Sequence, residues 1–384
     1  MTTERKSLFV ACGEPSGETY TVNVVREFRK RFPGVPVSGI GGERLRAEGV
    51  RLVADYARIS VVGLTEVLRH LPDVLRTLRL AVREATAPGV AAVLLVDFPD
   101  FNFRVGERAA RKGVPVVYYI PPQLWAWRKG RARQLARFTR GVVVPFPFEV
   151  PALSAAGANA RFAGHPLLDE LAPHLDAPPD PGRFGIAEGS TLVGLLPGSR
   201  TGEVGKHLPI LIEAARRIAR QRPEVRFAVP VASAHLREEI ARQLAGSGVD
   251  AVLVDRDRHL LFRGMKAAIS ASGTATLELA LLGVPSVIVY RTSPLTYRIG
   301  KRLVSVGSIG LPNIVAGEPF LPELIQDDCN PVRMSEEIGK MLSDPALLAR
   351  LSARCVALRE KLRGDGPTRA VVDMLAEASE GAWA

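Results

Sequence analysis

Short apolar runs of strand length alternate along this chain with longer amphipathic stretches, the pattern of parallel sheets covered by helices. Strands are expected at 7–11, 36–40, 91–96, 114–119 and 141–144. A second series follows at 191–196, 225–229, 251–254, 267–270 and 285–289. Between the two lies a Pro-rich stretch, His174 to Pro181, which continues neither helix nor sheet and reads as a linker. The class is therefore α/β, with two Rossmann-like parallel-sheet lobes facing a cleft. The lobes are expected at 1–170 and 171–365, with a C-terminal helix within 366–384 packing back on the first. Open sheets of this kind bind ligands at the carboxyl ends of their strands, so the cleft is expected to hold the site.

Composition narrows this little. With 384 residues, 47% hydrophobic and 24% charged, each lobe can bury a core without metal or disulfide. Cys12, Cys329 and Cys355 are odd in number and far apart, with no C-x-x-C pair, and read as reduced thiols of a cytosolic protein. Leu8 to Cys12 behind Arg5 and Lys6 superficially resembles a lipoprotein cleavage site, but the apolar run is too short for a signal peptide and fits a first buried strand. Nowhere does an apolar stretch reach the ~20 residues of a membrane-spanning helix. The net charge of +11 points to an anionic partner: nucleic acid, a phosphorylated substrate or an anionic membrane face.

Four loops carry candidate chemistry. Gly13-Glu14-Pro15-Ser16-Gly17-Glu18 follows a strand and opens a helix, where backbone N–H groups and the helix dipole favour phosphate. It lacks the G-x-G-x-x-G spacing of a dinucleotide fingerprint, and a plain βα turn is the competing reading. Leu196-Pro197-Gly198-Ser199-Arg200 repeats the arrangement in the second half and adds a guanidinium suited to a diphosphate. Ser272-Gly273-Thr274 follows a strand, and Glu278 lies one turn later, placed to accept from ribose hydroxyls; capped helix starts would look alike. Asp97 and Asp100 follow the apolar run Val93 to Val96; Asp100 suits a helix cap, whereas Asp97 is hard to explain that way.

Other features read as structure. Asp255-Arg256-Asp257 matches a D-x-D metal pattern but lies in a charged turn, and the histidines are scattered, so no metal or other cofactor is expected. Between Arg58 and Arg83 an apolar stripe that includes Leu68, Leu71, Leu75 and Leu78 adjoins Arg76, Arg79 and Arg83. Trp125 and Trp127 precede Arg128, Lys129, Arg131 and Arg133. Such stripes are usually core, yet basic residues flanking exposed apolar ones also make interfacial membrane anchors. No nucleic-acid motif is present to make use of the charge.

Taken together and in order, these blocks resemble lipid-A-disaccharide synthases over nearly the whole chain. The opening Gly13 to Glu18 is similar to the family's G-E-A-S-G-D, and Gly39-Ile40-Gly41-Gly42 and Val62 to Leu68 to its next two blocks. Asp97 to Asn102 resembles D-x-P-D-F-N, and Pro122 to Arg128 resembles P-x-x-W-A-W-R. Pro147-Phe148-Glu149, Gly164-His165-Pro166-Leu167, Leu196 to Arg200, Ser272 to Ala275, Leu311-Pro312-Asn313 and Pro322 to Gln326 complete the series. Pro15, Glu18 and Pro121 depart from the family's Ala, Asp and Ser; the first two touch the presumed substrate loop, where acyl preference or acceptor fit is open to change.

The resemblance implies a GT-B fold, with an acceptor-binding first lobe and a nucleotide-sugar-binding second. It implies inverting transfer of 2,3-diacylglucosamine from UDP to 2,3-diacylglucosamine 1-phosphate, giving the β-1,6 disaccharide precursor of lipid A. The enzyme would act at the cytoplasmic face of the inner membrane as a peripheral protein. Asp97 would be the general base, with Glu14 the next candidate. Arg200, Ser272, Gly273 and Thr274 would hold the diphosphate, with Glu278, Asn313 and Gln326 as further nucleotide contacts. Gly13, Ser16, Gly17, Gly41 and Gly42 would form an acceptor or phosphate loop. Leu68, Leu71, Leu75, Leu78, Trp125 and Trp127 would touch the membrane. A homodimer is compatible with the sequence, and nucleic acid is not an expected partner. Rival readings are another GT-B enzyme, acting on a different lipid-linked acceptor or as a UDP-sugar 2-epimerase, and a non-catalytic basic protein that binds nucleic acid or membrane.

Overall fold

The computed structural model describes residues 6–56, 64–122, 129–187, 189–292 and 307–383, with the side chains of 64–71 and 129 outside the description. The chain divides into two compact units, one made of 1–166 and 362–384 and the other of 167–361.

In the first unit the strands are β1 (Ser7–Ala11), β2 (Val37–Gly41), β3 (Arg51–Asp55), β4 (Val90–Val96), β5 (Val116–Tyr119), β6 (Gly141–Val144) and β7 (Ala160–Phe162). They form one all-parallel sheet in the order β3-β2-β1-β4-β5-β6-β7. Helices cover both sides, so the central strands read as continuous apolar runs such as Val-Ala-Ala-Val-Leu-Leu-Val in β4. Alternation along the strands separates two cores. Phe9, Ala11, Val93 and Leu95 face α3 (Leu64–Ala85), α4 (Pro99–Arg111) and α5 (Lys129–Phe138). Leu8, Val10, Ala92 and Leu94 face α1 (Pro15–Arg31), α2 (Glu43–Ala47) and the C-terminal helix Pro367–Ala378. The unit is completed by α6 (Glu149–Ala155), α7 (Pro166–Leu171) leading into the next.

The second unit holds β8 (Thr191–Leu196), β9 (Val225–Pro230), β10 (Ala251–Val254), β11 (Ala267–Ala271), β12 (Ser286–Tyr290) and β13 (Glu323–Ile325), again all parallel, in the order β10-β9-β8-β11-β12-β13. Its helices include α8 (Thr201–Gln221), α9 (Ala234–Leu244), α10 (Arg258–Gly264) and α11 (Thr274–Leu281), followed by Leu311–Ala316, Pro331–Ser343 and Pro345–Leu362. The Pro-rich stretch expected to link the lobes lies inside this unit. Arg263 Nε donates to the Ala177 carbonyl at 3.1 Å, and the His174 ring stands 5.3 Å from that of His259. The division between the units instead falls at Pro166 and Leu167, ahead of that stretch.

Candidate active site

In an open α/β sheet the loops that can enclose a ligand are those where the strand order reverses. In the first unit that point lies between β1 and β4. The loops leaving those two strands are the ones that carry Gly13 and Asp97. Gly13 is required by packing: a Cβ there would stand 2.1 Å from the Phe98 ring, which lies against it. Asp97 and Phe98 both adopt left-handed backbone, with φ of 50° and 51°. For non-glycine residues this costs on the order of 1–3 kcal/mol each and persists only where the surroundings hold it.

The holding groups are identifiable. The Asn102 Nδ2 group donates to the carbonyls of Asp97 at 2.8 Å, Val96 at 3.2 Å and Ala11 at 3.3 Å. The Tyr118 hydroxyl donates to the Asp97 carbonyl at 2.7 Å, and Asp97 N–H donates to the Tyr119 carbonyl at 3.1 Å. Asn102 is fully buried and so ties the ends of β1 and β4 to the strained turn. Nothing in the spacing of D-x-P-D-F-N separates this Asn from a helix cap. Asp100 is not the cap expected of it: Phe98 occupies the N-cap position, and Asp100 sits exposed in the first turn of α4, 2.8 Å from Arg131. There it complements the helix dipole.

Glu14 is the N-cap residue of α1, and Ser16 is exposed in its first turn. Gly17 is buried, its Cβ position 3.7 Å from Asp97 Cβ. Gly41 and Gly42 do not offer an anion loop. The Gly42 N–H is engaged by Glu18 Oε1 at 2.8 Å, and a Cβ on Gly41 would meet the Leu45 side chain. Glu18 Oε1 also accepts from Leu45 N–H at 3.1 Å and Oε2 from the Tyr56 hydroxyl at 3.1 Å. Glu18, 3% exposed, therefore caps α2 from a neighbouring helix. Beneath this loop, burial pushes the Cys12 thiol up to about 12, so it is inert.

In the second unit the strand order reverses between β8 and β11, and the loops leaving them are Pro197–Arg200 and Ser272–Gly273. Gly198 has φ +119°. The Ser199 N–H donates to Glu203 Oε2 at 3.0 Å, and the half-exposed Arg200 guanidinium lies 3.3 Å from the same carboxylate. The Ser272 N–H and hydroxyl are both engaged, by the Val289 and Ile309 carbonyls. The N–H groups at the start of α11, around Gly273 and Thr274, are of the kind that a helix start leaves without an intrahelical partner. Among the described residues no side chain approaches within 4 Å of a Cβ built on Gly273.

Glu278, 5% exposed, accepts from Arg258 Nη2 at 3.2 Å and lies 3.2 Å from His259 Nε2. Oε2 also lies 3.2 Å from Arg258 Nε, so Oε1, with one partner among the described residues, is the oxygen with a second lone pair. Asn313, expected to touch the nucleotide, has a structural duty instead, its four hydrogen-bonding positions all taken; Gln326 is half-buried. Asn313, 1% exposed, donates to the Leu321 carbonyl and to Glu323 and accepts from the N–H groups of Phe320 and Leu321. Gln326 closes a two-bond ring with the backbone of Thr292. Asp255 and Asp257, the D-x-D pair, are paired with Arg237 and Arg183. Among the described residues no group of three or more His, Cys, Asp or Glu is placed to hold a metal ion.

Of the expected membrane residues, Leu78 is 6% exposed and packed in the core beneath α3, because its position on the helix faces the sheet. That assignment is corrected; Leu75 is half-buried. Leu68, Leu71, Trp125 and Trp127 lie outside the residues whose side chains are described.

Two all-parallel sheets, each wound outward from a central switch point lined by such loops, define a GT-B-type protein. Solved structures of the same fold include the S. aureus MnaA–UDP co-structure, with a TM-score of 0.67 at 11% identity over 98% of this chain and 97% of that one. Acinetobacter baumannii MurG matches with a TM-score of 0.58 at 15% identity, over 97% and 99%. At those identities the fold is what is shared. A family model described as lipid-A-disaccharide synthetase matches residues 8–363. The lipid-A-disaccharide synthase of Geobacter sulfurreducens is 41% identical over 371 residues, 96% of each chain. That of Nitrosococcus oceani is 36% identical over 97% of this chain and 96% of its own. The chain belongs to the lipid-A-disaccharide synthase family and is a glycosyltransferase.

Proposed function

We propose that, in the family's transfer of 2,3-diacylglucosamine from UDP to 2,3-diacylglucosamine 1-phosphate, Asp97 takes the proton from the attacking 6-hydroxyl. The leaving UDP would be held by Arg200 and by the N–H groups at the start of α11. The observation that carries this reading is the placement of both loop pairs at the switch points of their sheets, with Asp97 in strained backbone fixed by Asn102 and Tyr118. Attack generates negative charge on the diphosphate, which a guanidinium and oriented N–H groups stabilise electrostatically. The family's fold neighbours include 2-epimerases, but an epimerase needs no acceptor. UDP release that depends on added acceptor separates the two.

The test is Asp97→Asn in the full chain with both diacylglucosamine substrates and mass spectrometry of the disaccharide. Loss of a general base typically costs ~10² to 10⁴ in rate. UDP affinity by calorimetry should stay near wild type. Near-normal turnover in Asp97→Asn would move the role to Glu14.

The lipid-borne substrates call for a membrane surface, and the arginines of the first unit supply a basis for one. Arg76, Arg79 and Arg83 on α3, Arg104, Arg108 and Arg111 on α4, and Arg133 and Arg137 on α5 are all exposed. These helices cover one side of the sheet. Apart from Arg111, 3.9 Å from Glu107, they make no ion pair among the described residues. On the other side Arg26 pairs with Glu48 at 2.5 Å, Arg46 with Glu43 at 3.0 Å and Arg31 with Asp373. A face of unpaired arginines suits anionic headgroups. Sedimentation with phosphatidylglycerol vesicles should fall when Arg104, Arg108, Arg133 and Arg137 are changed to Ser. Unaltered sedimentation would refute this orientation.

A further inference from the structure

His207 sits in α8, 1% exposed, seven residues beyond the end of the phosphate loop. Its Nδ1 lies 3.2 Å from the Pro197 carbonyl, and its Nε2 lies 3.0 Å from the backbone nitrogen of Arg291. The partners fix its state. A carbonyl can only accept, so Nδ1 carries the hydrogen; a backbone N–H can only donate, so Nε2 presents its lone pair. The ring is the neutral Nδ1–H tautomer, in keeping with the lowering of its pKa, mainly by burial. An imidazolium would turn an N–H toward the Arg291 N–H and lose that bond.

The two tethered points are informative. Pro197 begins the loop after β8, and Arg291 follows the end of β12. In the sheet β8 and β12 stand on either side of β11, whose own loop opens α11. One buried side chain therefore fastens together the strand ends that flank the loop opening α11. The loop it holds turns through Gly198 at φ +119°, a backbone angle that glycine adopts freely for want of a Cβ, so the turn does not fix its own position.

We propose that His207 is a positioning residue for the donor diphosphate: by fixing Pro197 against Arg291 it sets where Arg200 and the start of α8 meet the phosphates. The proposal rests on the reading of Pro197–Arg200 as the diphosphate loop. It gives the His a role that requires no contact with substrate.

The experiment measures UDP affinity by calorimetry, thermal melting, and KM and kcat for the full chain and its variants. His207→Leu keeps the bulk and removes both bonds; UDP affinity should fall about tenfold, with KM for the donor rising more than kcat falls. His207→Gln, which carries both a donor and an acceptor, should recover affinity to within about threefold. A His207→Leu protein that melts earlier but binds UDP as wild type does would overturn the proposal, since packing alone gives that result. If His207→Leu does not fold, His207→Asn, which can retain the Pro197 bond and lose the Arg291 bond, decides: wild-type affinity overturns the proposal and a severalfold loss upholds it. Arg200→Ala run in parallel tests the loop itself. If Arg200→Ala leaves UDP binding unchanged, the diphosphate reading fails; if it weakens binding and His207→Leu does not, only the positioning role fails.

Discussion

Asn102 offers a test of how the strained turn at Asp97 is held. Its amide nitrogen serves three backbone carbonyls, two of them at the ends of neighbouring strands, and has no exposure to water. The two amide hydrogens are shared among the three carbonyls, so replacing it by Ala removes about two bonds' worth, about 1 kcal/mol each, and leaves the Asp97 carbonyl to Tyr118 alone. A loss of ~2 kcal/mol follows, or ~4–8 °C in melting temperature for a unit of this size. Asn102→Asp should be worse: a carboxylate would face three carbonyl oxygens, and burial would force it to take up a proton. Denaturant unfolding of the three proteins at pH 7, with turnover measured on the folded fraction, separates the effects. Turnover should fall in both variants, because Asp97 relaxes from its left-handed backbone, while UDP affinity is unchanged. Stability of Asn102→Asp equal to that of wild type would show that the amide does not donate here, and the account of the turn would fail.

Three further outcomes are expected. Glu18→Ala uncaps α2 and leaves the Tyr56 hydroxyl unpaired, and should cost ~2–3 kcal/mol by chemical denaturation with little effect on UDP affinity. Burial lowers His165 to about 3, below its ordinary 6.5, so the unfolded chain binds the extra proton between those values. Its contribution is therefore whole above pH 6.5 and is lost as pH falls toward 3, at up to about 1.4 kcal/mol per pH unit; urea melts should show a shallower acid decline in His165→Gln. Because Asp255 and Asp257 are engaged by arginines, turnover should survive EDTA, and restoration by a divalent ion after EDTA loss would return the D-x-D pair to the mechanism.

The sequence made the central strands legible because burial on both faces demands uninterrupted apolar runs, as in β4 and β8. It hid β3, β7 and β13, each at a sheet edge, where Arg51, Arg161 or Glu323 can stand in the strand. Loops at the switch points were readable from Gly spacing after a strand. What each side chain does there was not. Asn313 has the composition of a ligand contact but is consumed by a turn distant in pattern from its own. His207 carries no motif, since its partners are backbone atoms 10 and 84 residues away. Leu78 shares its heptad neighbourhood with exposed positions, and only the packing of α3 tells inward from outward.

The C-terminal helix returns to the first unit, with Val371, Val372, Met374 and Leu375 buried against the sheet face that α1 also covers. Gly141 in β6 is bare of a side chain where Met374 lies; a Cβ would stand 2.1 Å from its sulfur. During synthesis, then, the part of that face beside α1 which the C-terminal helix covers stays bare while residues 167–361 are made. At ~5–20 residues per second that interval is on the order of 10–40 s, long compared with the folding of most domains. The second unit is contiguous and can complete itself on the ribosome, whereas the first must wait. Nascent chains stalled before 367 should accordingly be chaperone clients through their first 166 residues, even though those residues are translated first.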